Sequence, residues 1–568
     1  LSTKKPDDKN ADKSLTGFKI FLLCAVTGIL MGLAFPPFNL SYIIIIGYAI
    51  FAGIIHNTKN YKQLFLRAYT VFLFFELIAL SWIALSGMRE SADRFLILGG
   101  SLTILIHCIL NLIPVYIYYF IFRNFRKDRN TPNNSVLIFF PVIFTAYEFF
   151  MSLTEVSFPW LTTGNAFTIN LEKIQFADIT GVFGISLWSL SLSALFYYMF
   201  RLLRYPPGNT KNIFSKKPLT AAILIIILFT APNFYTYFSN SRNEYTKNEN
   251  TDTVKIAIIQ PNINPWVKWG TKSSDLVQTY VESIKNIAVK DSSVKMMVFP
   301  ETAVTFYLLH PSFRDKLQPL KDAVESTGIP VLIGFPDLEV YSDSSRIRPD
   351  SKQLSDGNYY DVFNSAVLLV KGIPEHKYQK YAKNKLVTGS ERMPYQEKLK
   401  FLKNLISWGV GISSYQTGLD TTIFNYGNLK FNVAICYESI YPDFFSRFVN
   451  KGAEFCVIIT NDGWWGKLPG THQHNQFAVL RALENRRWIV RCANTGISCV
   501  IDPYGHIYEQ TGINEKAEII TSIGLRSNKT FYTLHGDYIG RISVYITIII
   551  LLSGIVIKFI RRRTYYRD

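Results

Sequence analysis

Seven apolar stretches crowd the first 240 residues: Phe18 to Phe35, Leu40 to Ile55, Tyr69 to Leu85, Phe95 to Phe122, Val136 to Met151, Phe183 to Phe200 and Ala221 to Phe238. An eighth, Ile542 to Ile557, lies almost at the C-terminus of the 568-residue chain. Each approaches the ~20 residues that a helix needs to cross a ~30 Å hydrocarbon layer. The pattern predicts eight transmembrane helices. Between the seventh and the eighth lies one long stretch, large enough to fold around a core of its own. Charged residues make up only 18% of the chain, against roughly 25% in an average soluble protein. That composition excludes a disordered chain and disfavours a wholly soluble one.

The formal charge of +18 fits either a nucleic-acid binder or a membrane protein with basic flanks, and the placement of the charges decides. Basic residues fall in alternate loops: Lys4, Lys5, Lys9 and Lys13; Lys59, Lys62 and Arg67; Arg123, Arg126, Lys127 and Arg129; Arg201, Arg204, Lys211, Lys216 and Lys217; then Lys558, Arg561, Arg562, Arg563 and Arg567. The intervening loops are poor in them. By the positive-inside rule both termini are cytoplasmic, and seven crossings place the long stretch on the outer side. This accounts for the charge without a nucleic-acid partner, and no nucleic-acid-binding motif competes. The first stretch also has the leading lysines of a secretory signal, but it runs into Phe35-Pro-Pro-Phe38 rather than a small-residue cleavage site, so a retained helix is expected.

The expected organisation is a cytoplasmic segment at 1–17, seven helices within 18–238, an outer domain at 239–541, the eighth helix at 542–557 and a basic cytoplasmic tail at 558–568. Within the outer domain, short β-branched runs recur at Lys255 to Ile259, Val294 to Phe299, Pro330 to Phe335, Ser365 to Val370, Phe431 to Ile435, Cys456 to Thr460 and Ser498 to Ile501. Amphipathic segments such as Gln473 to Arg487 separate them. The alternation predicts a layered α/β domain.

Six cysteines are present. Cys24 and Cys108 lie in membrane stretches and read as packing residues. Cys456, Cys492 and Cys499 sit inside apolar runs and read the same way, with a disulfide among them open in an oxidising compartment. Cys436 differs, because it ends a strand run and is followed at once by Tyr437-Glu438-Ser439. A strand that stops at a polar turn presents its last side chain at the sheet edge, where a nucleophile meets substrate. Val294 to Phe299 likewise stops at Pro300-Glu301, and the turn-rich segment Tyr381 to Pro394 holds Lys383 and Glu391. Taken singly, Glu301 also reads as a helix-capping acid and the Lys383 segment as a solvated loop. Together, a thiol, a carboxylate and an ammonium group make a complete acyl-transfer unit: the acid takes the thiol proton, the thiolate attacks a carbonyl, and the ammonium with a backbone N–H holds the oxyanion.

The ordered set Phe299-Pro-Glu301, Tyr381-Ala-Lys383, Ile435-Cys-Tyr-Glu438, Asn461-Asp-Gly-Trp-Trp465 and Arg481-Ala-Leu-Glu-Asn485 resembles the nitrilase (carbon-nitrogen hydrolase) superfamily. Phe158-Pro-Trp-Leu161, Gln260-Pro-Asn262 and the eight helices extend the resemblance to its membrane branch, the apolipoprotein N-acyltransferases. The resemblance implies a nitrilase-like α-β-β-α sandwich joined to a helical membrane bundle. It implies a triad with Glu301 as general base, Lys383 as oxyanion stabiliser and Cys436 as nucleophile. Glu391 matches a second acid that orients the lysine, Trp269, Tyr437 and Glu438 match residues shaping substrate access, and Trp464 and Trp465 are expected to line the pocket or to pack in the core. The family stretch His-Leu-Val-Pro-Phe-Gly-Glu is here Lys385-Leu-Val-Thr-Gly-Ser-Glu391, which keeps the acid and its spacing.

The implied reaction transfers a fatty acyl chain from a phospholipid to the α-amine of a diacylglyceryl-modified lipoprotein cysteine through a thioester, at the outer face of a bacterial cytoplasmic membrane, with no cofactor or metal. Two rivals stay open at this level: a membrane-tethered amidase in which water resolves the acyl-enzyme, and a non-catalytic lipid-binding or transport protein. The pair His472 and His474 has no carboxylate or cysteine at metal-ligand spacing and reads as a helix-start feature. Glu76 and Glu148 fall in membrane stretches, where an acid is costly unless paired or facing a polar cavity.

Overall fold

A computed structural model of the chain describes residues 8–125, 134–204, 216–246, 252–343, 345, 347–395 and 415–565. Of the residues used in the loop-charge argument, Lys4, Lys5, Arg126, Lys127, Arg129, Lys211 and Arg567 lie outside these.

All eight apolar stretches are helical, but the expected count of eight spans is not reproduced. Five helices among the described residues are long and apolar enough to cross a membrane: Phe95–Asn124, Ser135–Ser152, Ala177–Arg204, Lys216–Ser239 and Tyr538–Arg561. A sixth arises if Tyr61–Ala79 and Ser81–Met88, bent by 50°, form one span. The first two stretches give the shorter helices Gly17–Leu33 and Ile43–His56. At ~1.5 Å per residue the second of these reaches about 21 Å, short of a ~30 Å hydrocarbon layer. Hydropathy saw apolar runs without their ends: Pro36 and Pro37 precede the second helix, and Asn57 follows its last residue. Inside Ala177–Arg204, Gly181 adopts φ of +64°, and a Cβ there would lie 2.2 Å from the Tyr532 ring. Only glycine meets both demands, and the helix breaks where the α/β domain presses on it.

Among the described residues that domain holds thirteen strands: β1 (Thr253–Gln260), β2 (Met296–Val298), β3 (Val331–Tyr341), β4 (Lys352–Gln353), β5 (Tyr359–Leu369), β6 (Gln379–Ala382), β7 (Phe424–Tyr426), β8 (Leu429–Ile435), β9 (Phe455–Thr460), β10 (Ile489–Ala493), β11 (Cys499–Ile501), β12 (Ile507–Tyr508) and β13 (Ala517–Gly524). One sheet runs β13-β1-β2-β3-β5-β4, with β6 on β5; the other runs β12-β11-β10-β9-β8-β7. The strict alternation of β1 shows how the layers form. Ala257 and Ile259 join the core under the helices Ser273–Lys290 and Arg314–Thr327, while Ile256 and Ile258 face the core shared with the second sheet. Helices Pro442–Asn450 and Pro469–Asn485 contribute their apolar residues to that second core. The result is an α-β-β-α sandwich. Strands β4, β6, β7, β10, β12 and β13 escape the sequence reading, β10 because Arg491 interrupts its apolar run.

Sandwich and helical bundle are joined by polar side chains from Pro469–Asn485 and the residue after it. Gln473 makes four hydrogen bonds: its Oε1 accepts the indole N–H groups of Trp82 (3.0 Å) and Trp160 (2.7 Å), and its Nε2 donates to the carbonyls of Pro36 (2.9 Å) and Ala79 (3.1 Å). Glu484 accepts the backbone N–H of Val182 at 3.0 Å. Arg486 grips Asp178 at 2.8 Å and Gln175 at 2.6 Å.

Candidate active site

Three strand ends meet at one edge of the sandwich. Glu301 stands three residues past the end of β2, in the turn that follows it, and is braced by Gly334 of β3, whose missing Cβ would otherwise sit 2.8 Å from the Glu301 Cα. Lys383 directly follows β6 and donates its backbone N–H to the Asn364 carbonyl of β5 at 2.8 Å. Cys436 directly follows β8 and adopts φ of +52°, a left-handed turn that costs a non-glycine residue free energy and turns its side chain out of the strand direction.

The side chains converge. Lys383 Nζ lies 3.2 Å from Glu301 Oε1 and 2.9 Å from Glu391 Oε1. Asn364 Nδ2 donates to the same two oxygens, at 2.8 and 3.0 Å. The second oxygen of Glu391 accepts the Val387 N–H at 2.8 Å, so Glu391 closes its own loop around the lysine. Burial works against the Lys383 charge, but the carboxylates of Glu301 and Glu391 outweigh it and hold the ammonium well above its usual range. Burial likewise pushes the Cys436 thiol well up, the Glu301 charge adds to this, and Lys383 opposes it. The Cys436 thiol is therefore neutral at rest, and its deprotonation would need a base within reach.

Behind Cys436 the turn is held from two sides. Glu438 is fully buried; its Oε2 accepts the Ile435 N–H at 2.7 Å, and its Oε1 accepts Tyr381 OH and Asn384 N–H, each at 2.6 Å. It ties the cysteine turn to the lysine strand end and has no surface to offer a substrate path. His474, also buried, lies with Nε2 3.1 Å from the Cys436 carbonyl and 3.0 Å from Ser439 Oγ, and with Nδ1 2.8 Å from Asp462 Oδ1. The Asp462 carboxyl is pushed up by burial, but Arg491 and His474 hold it well below the usual range. The sequence reading found no metal-type partners for His474, yet folding brings Cys436 and Asp462 beside it. Each His474 nitrogen already has protein partners, and Asp462 Oδ2 accepts Arg491 at 2.6 Å, so the cluster is closed by its own hydrogen bonds.

The aromatic residues divide. Tyr437 is buried, donates its hydroxyl to the Ser157 carbonyl at 3.0 Å and stacks on Phe158. Trp465 packs edge-on against Trp82 and Trp160 of the bundle, and Trp464 against Trp266. Trp269 stands 53% exposed on the loop above Glu301. All six cysteines are free, with only Cys436 less than fully buried. The two membrane acids are partnered: Glu76 by His107 (3.0 Å) and Asn111 (2.9 Å), Glu148 by the Thr163 hydroxyl (2.5 Å) and N–H (2.9 Å). Glu148 also lines a cavity between the helices that extends to Phe158.

Asn364, Asp462, Ser439 and Arg491 were not singled out from sequence. Asn364 left a trace, a polar residue one position before the apolar run Ser365 to Val370.

Known sequences support the same reading. The carbon-nitrogen hydrolase signature matches residues 255–528, and that of the apolipoprotein N-acyltransferase N-terminal domain matches residues 27–195. The apolipoprotein N-acyltransferase of Chlorobaculum tepidum is 29% identical over 552 residues, which cover 95% of this chain and 97% of that one. The chain belongs to the apolipoprotein N-acyltransferase family of the carbon-nitrogen hydrolase superfamily. Apolipoprotein N-acyltransferases of Geobacter metallireducens (26% identity; 91% of this chain, 92% of that one) and Haemophilus influenzae (24%; 98% and 99%) align at similar length. Both parts of an apolipoprotein N-acyltransferase, the helical bundle and the sandwich, are thus matched in one multi-pass membrane protein.

Proposed function

We propose that this acyltransferase moves a fatty acyl chain from a phospholipid to the N-terminal amine of a diacylglyceryl-cysteine lipoprotein, through a thioester on Cys436. The observation that carries the reading is the Glu301–Lys383–Glu391 cluster set against the half-buried, left-handed Cys436 turn. In the first half-reaction Glu301 takes the thiol proton, sulfur bonds to the ester carbonyl carbon, and the carbonyl oxygen charge develops against Lys383 Nζ and a backbone N–H. The carbon–oxygen bond breaks, and Glu301 returns its proton to the departing lysophospholipid. In the second half the lipoprotein amine attacks the thioester and passes its proton to Glu301, and the amide forms as the carbon–sulfur bond breaks. Glu391 and Asn364 act as positioning residues that keep Lys383 on Glu301.

Both substrates are lipid-anchored, so a sandwich seated on the bundle through Gln473, Arg486 and Glu484 is where such chemistry belongs. The reading includes eight crossings, the two short helices completing the set, with both termini cytoplasmic and the sandwich on the outer side of a bacterial cytoplasmic membrane. Alternate-loop basic charge supports this orientation.

The test supplies phospholipid with a labelled acyl chain and a diacylglyceryl-cysteine peptide. The label should pass to the free-amine peptide as an amide and not to its N-acetylated form. Glu301→Gln and Lys383→Met should each slow transfer by roughly 10²–10⁴-fold. Labelled fatty acid released to water, with none on the peptide, contradicts transfer. Protease shaving of spheroplasts should degrade the sandwich; its protection would reverse the orientation.

A further inference from the structure

The loop that carries Trp269 also carries a buried cation. Lys268 is 1% exposed, although its neighbours Val267 and Trp269 are 50% and 53% exposed. The chain therefore buries its charged residue and exposes its apolar ones at this point, the reverse of what solvation favours. The Lys268 ammonium donates to the backbone carbonyl of Thr302, and no carboxylate forms an ion pair with it among the described residues. Thr302 is the residue directly after Glu301 and has φ of +42°, a conformation that a β-branched residue keeps only when its surroundings enforce it. Gly334 braces the same turn from the other side, its N–H donating to the Pro300 carbonyl at 3.3 Å and its carbonyl accepting the Ala303 N–H at 2.7 Å.

We infer that Lys268 is a positioning residue for Glu301: by holding the Thr302 carbonyl it fixes the left-handed turn that aims the carboxylate at Cys436, and it couples that aim to the seating of the Trp269 loop. Burial brings the Lys268 ammonium down to about 7, with the nearby Glu301 charge opposing the shift. The inference rests on Glu301 being the general base.

The experiment measures single-turnover release of lysophospholipid from purified full-length protein in detergent, as a function of phospholipid concentration. Lys268→Met should lower the maximal rate by roughly 10²-fold, the cost of a misaimed group, with the half-saturating lipid concentration little changed. Lys268→Arg should recover much of the rate. Should methionine alone prevent folding, Lys268→Met with Thr302→Gly replaces it, since glycine takes the left-handed conformation freely and leaves the turn relaxed but unaimed; this variant should fold and be slow. A folded Lys268→Met or double variant with the wild-type maximal rate, or a loss confined to half-saturation, overturns the inference. Glu301→Gln, run alongside, tests the base separately. Activity retained there refutes the base assignment, whereas an inactive Glu301→Gln beside an unslowed Lys268→Met refutes only the role of Lys268.

Discussion

His474 Nδ1 lies 2.8 Å from Asp462 Oδ1, both side chains fully buried, directly behind the turn that carries Cys436. The opposite ring nitrogen reaches the Cys436 carbonyl, so one imidazole spans from a fixed anion to the strained peptide beside the nucleophile. His474→Ala should let this turn relax. Acylation is expected to fall by roughly 10²-fold, and alkylation of Cys436 by iodoacetamide should lose its dependence on Glu301. Unchanged single-turnover kinetics in the alanine variant would show that the turn holds itself.

Gln473 should matter for the union of the two parts rather than for chemistry. Gln473→Leu strands two indole N–H groups and the carbonyls of Pro36 and Ala79 in a buried junction. At ~1–3 kcal/mol for each buried group left without a partner, a loss of several kcal/mol is expected. Thermal unfolding in detergent measures it, and a midpoint within a degree of wild type would contradict the role of this side chain as the joint.

Part of the site is legible before folding because Glu301 and Cys436 each follow an apolar run, and a polar residue where a strand stops is visible in one dimension. Lys383 is not legible in that way: the short strand before it carries Gln379 and Lys380, so its segment reads as a solvated loop and only the family resemblance singles the lysine out. Asn364 was passed over because it precedes its run, and its partners Glu301 and Glu391 are 63 and 27 residues away. The Gln473 joint left no trace, since its partners lie 313 to 437 residues distant. Strand β10 was hidden by Arg491, whose buried guanidinium is met by the Asp462 carboxylate and the Ile497 carbonyl. The count of eight spans is not reproduced for a different reason: hydropathy reports how apolar a run is, while the length of a helix depends on where it begins and ends.

Asp537, just before the last helix, gives a pH signature. Burial brings its carboxyl up to about 7, the Tyr532 hydroxyl it accepts opposing the shift and the Asp443 and Glu484 charges adding to it. A folded-state value above the unfolded one means that the native state holds the proton more tightly. The associated stability is complete below about pH 4 and lost as the pH rises through about 7. Asp537→Asn, neutral throughout, should flatten the decline of the thermal midpoint between pH 4 and 7. An unchanged slope would place the ionisation elsewhere.

The central claim is that Cys436 carries the acyl chain and waits for an amine. The sharpest measurement is the intact mass of the purified protein after exposure to phospholipid with no lipoprotein present. The account predicts a gain of one fatty acyl group on Cys436, with one equivalent of lysophospholipid released in a burst. The adduct should be removed by neutral hydroxylamine, discharged by a diacylglyceryl-cysteine peptide, and absent from Cys436→Ala. Steady release of free fatty acid without an acceptor, or folded protein that gains no mass with any phospholipid, would contradict it.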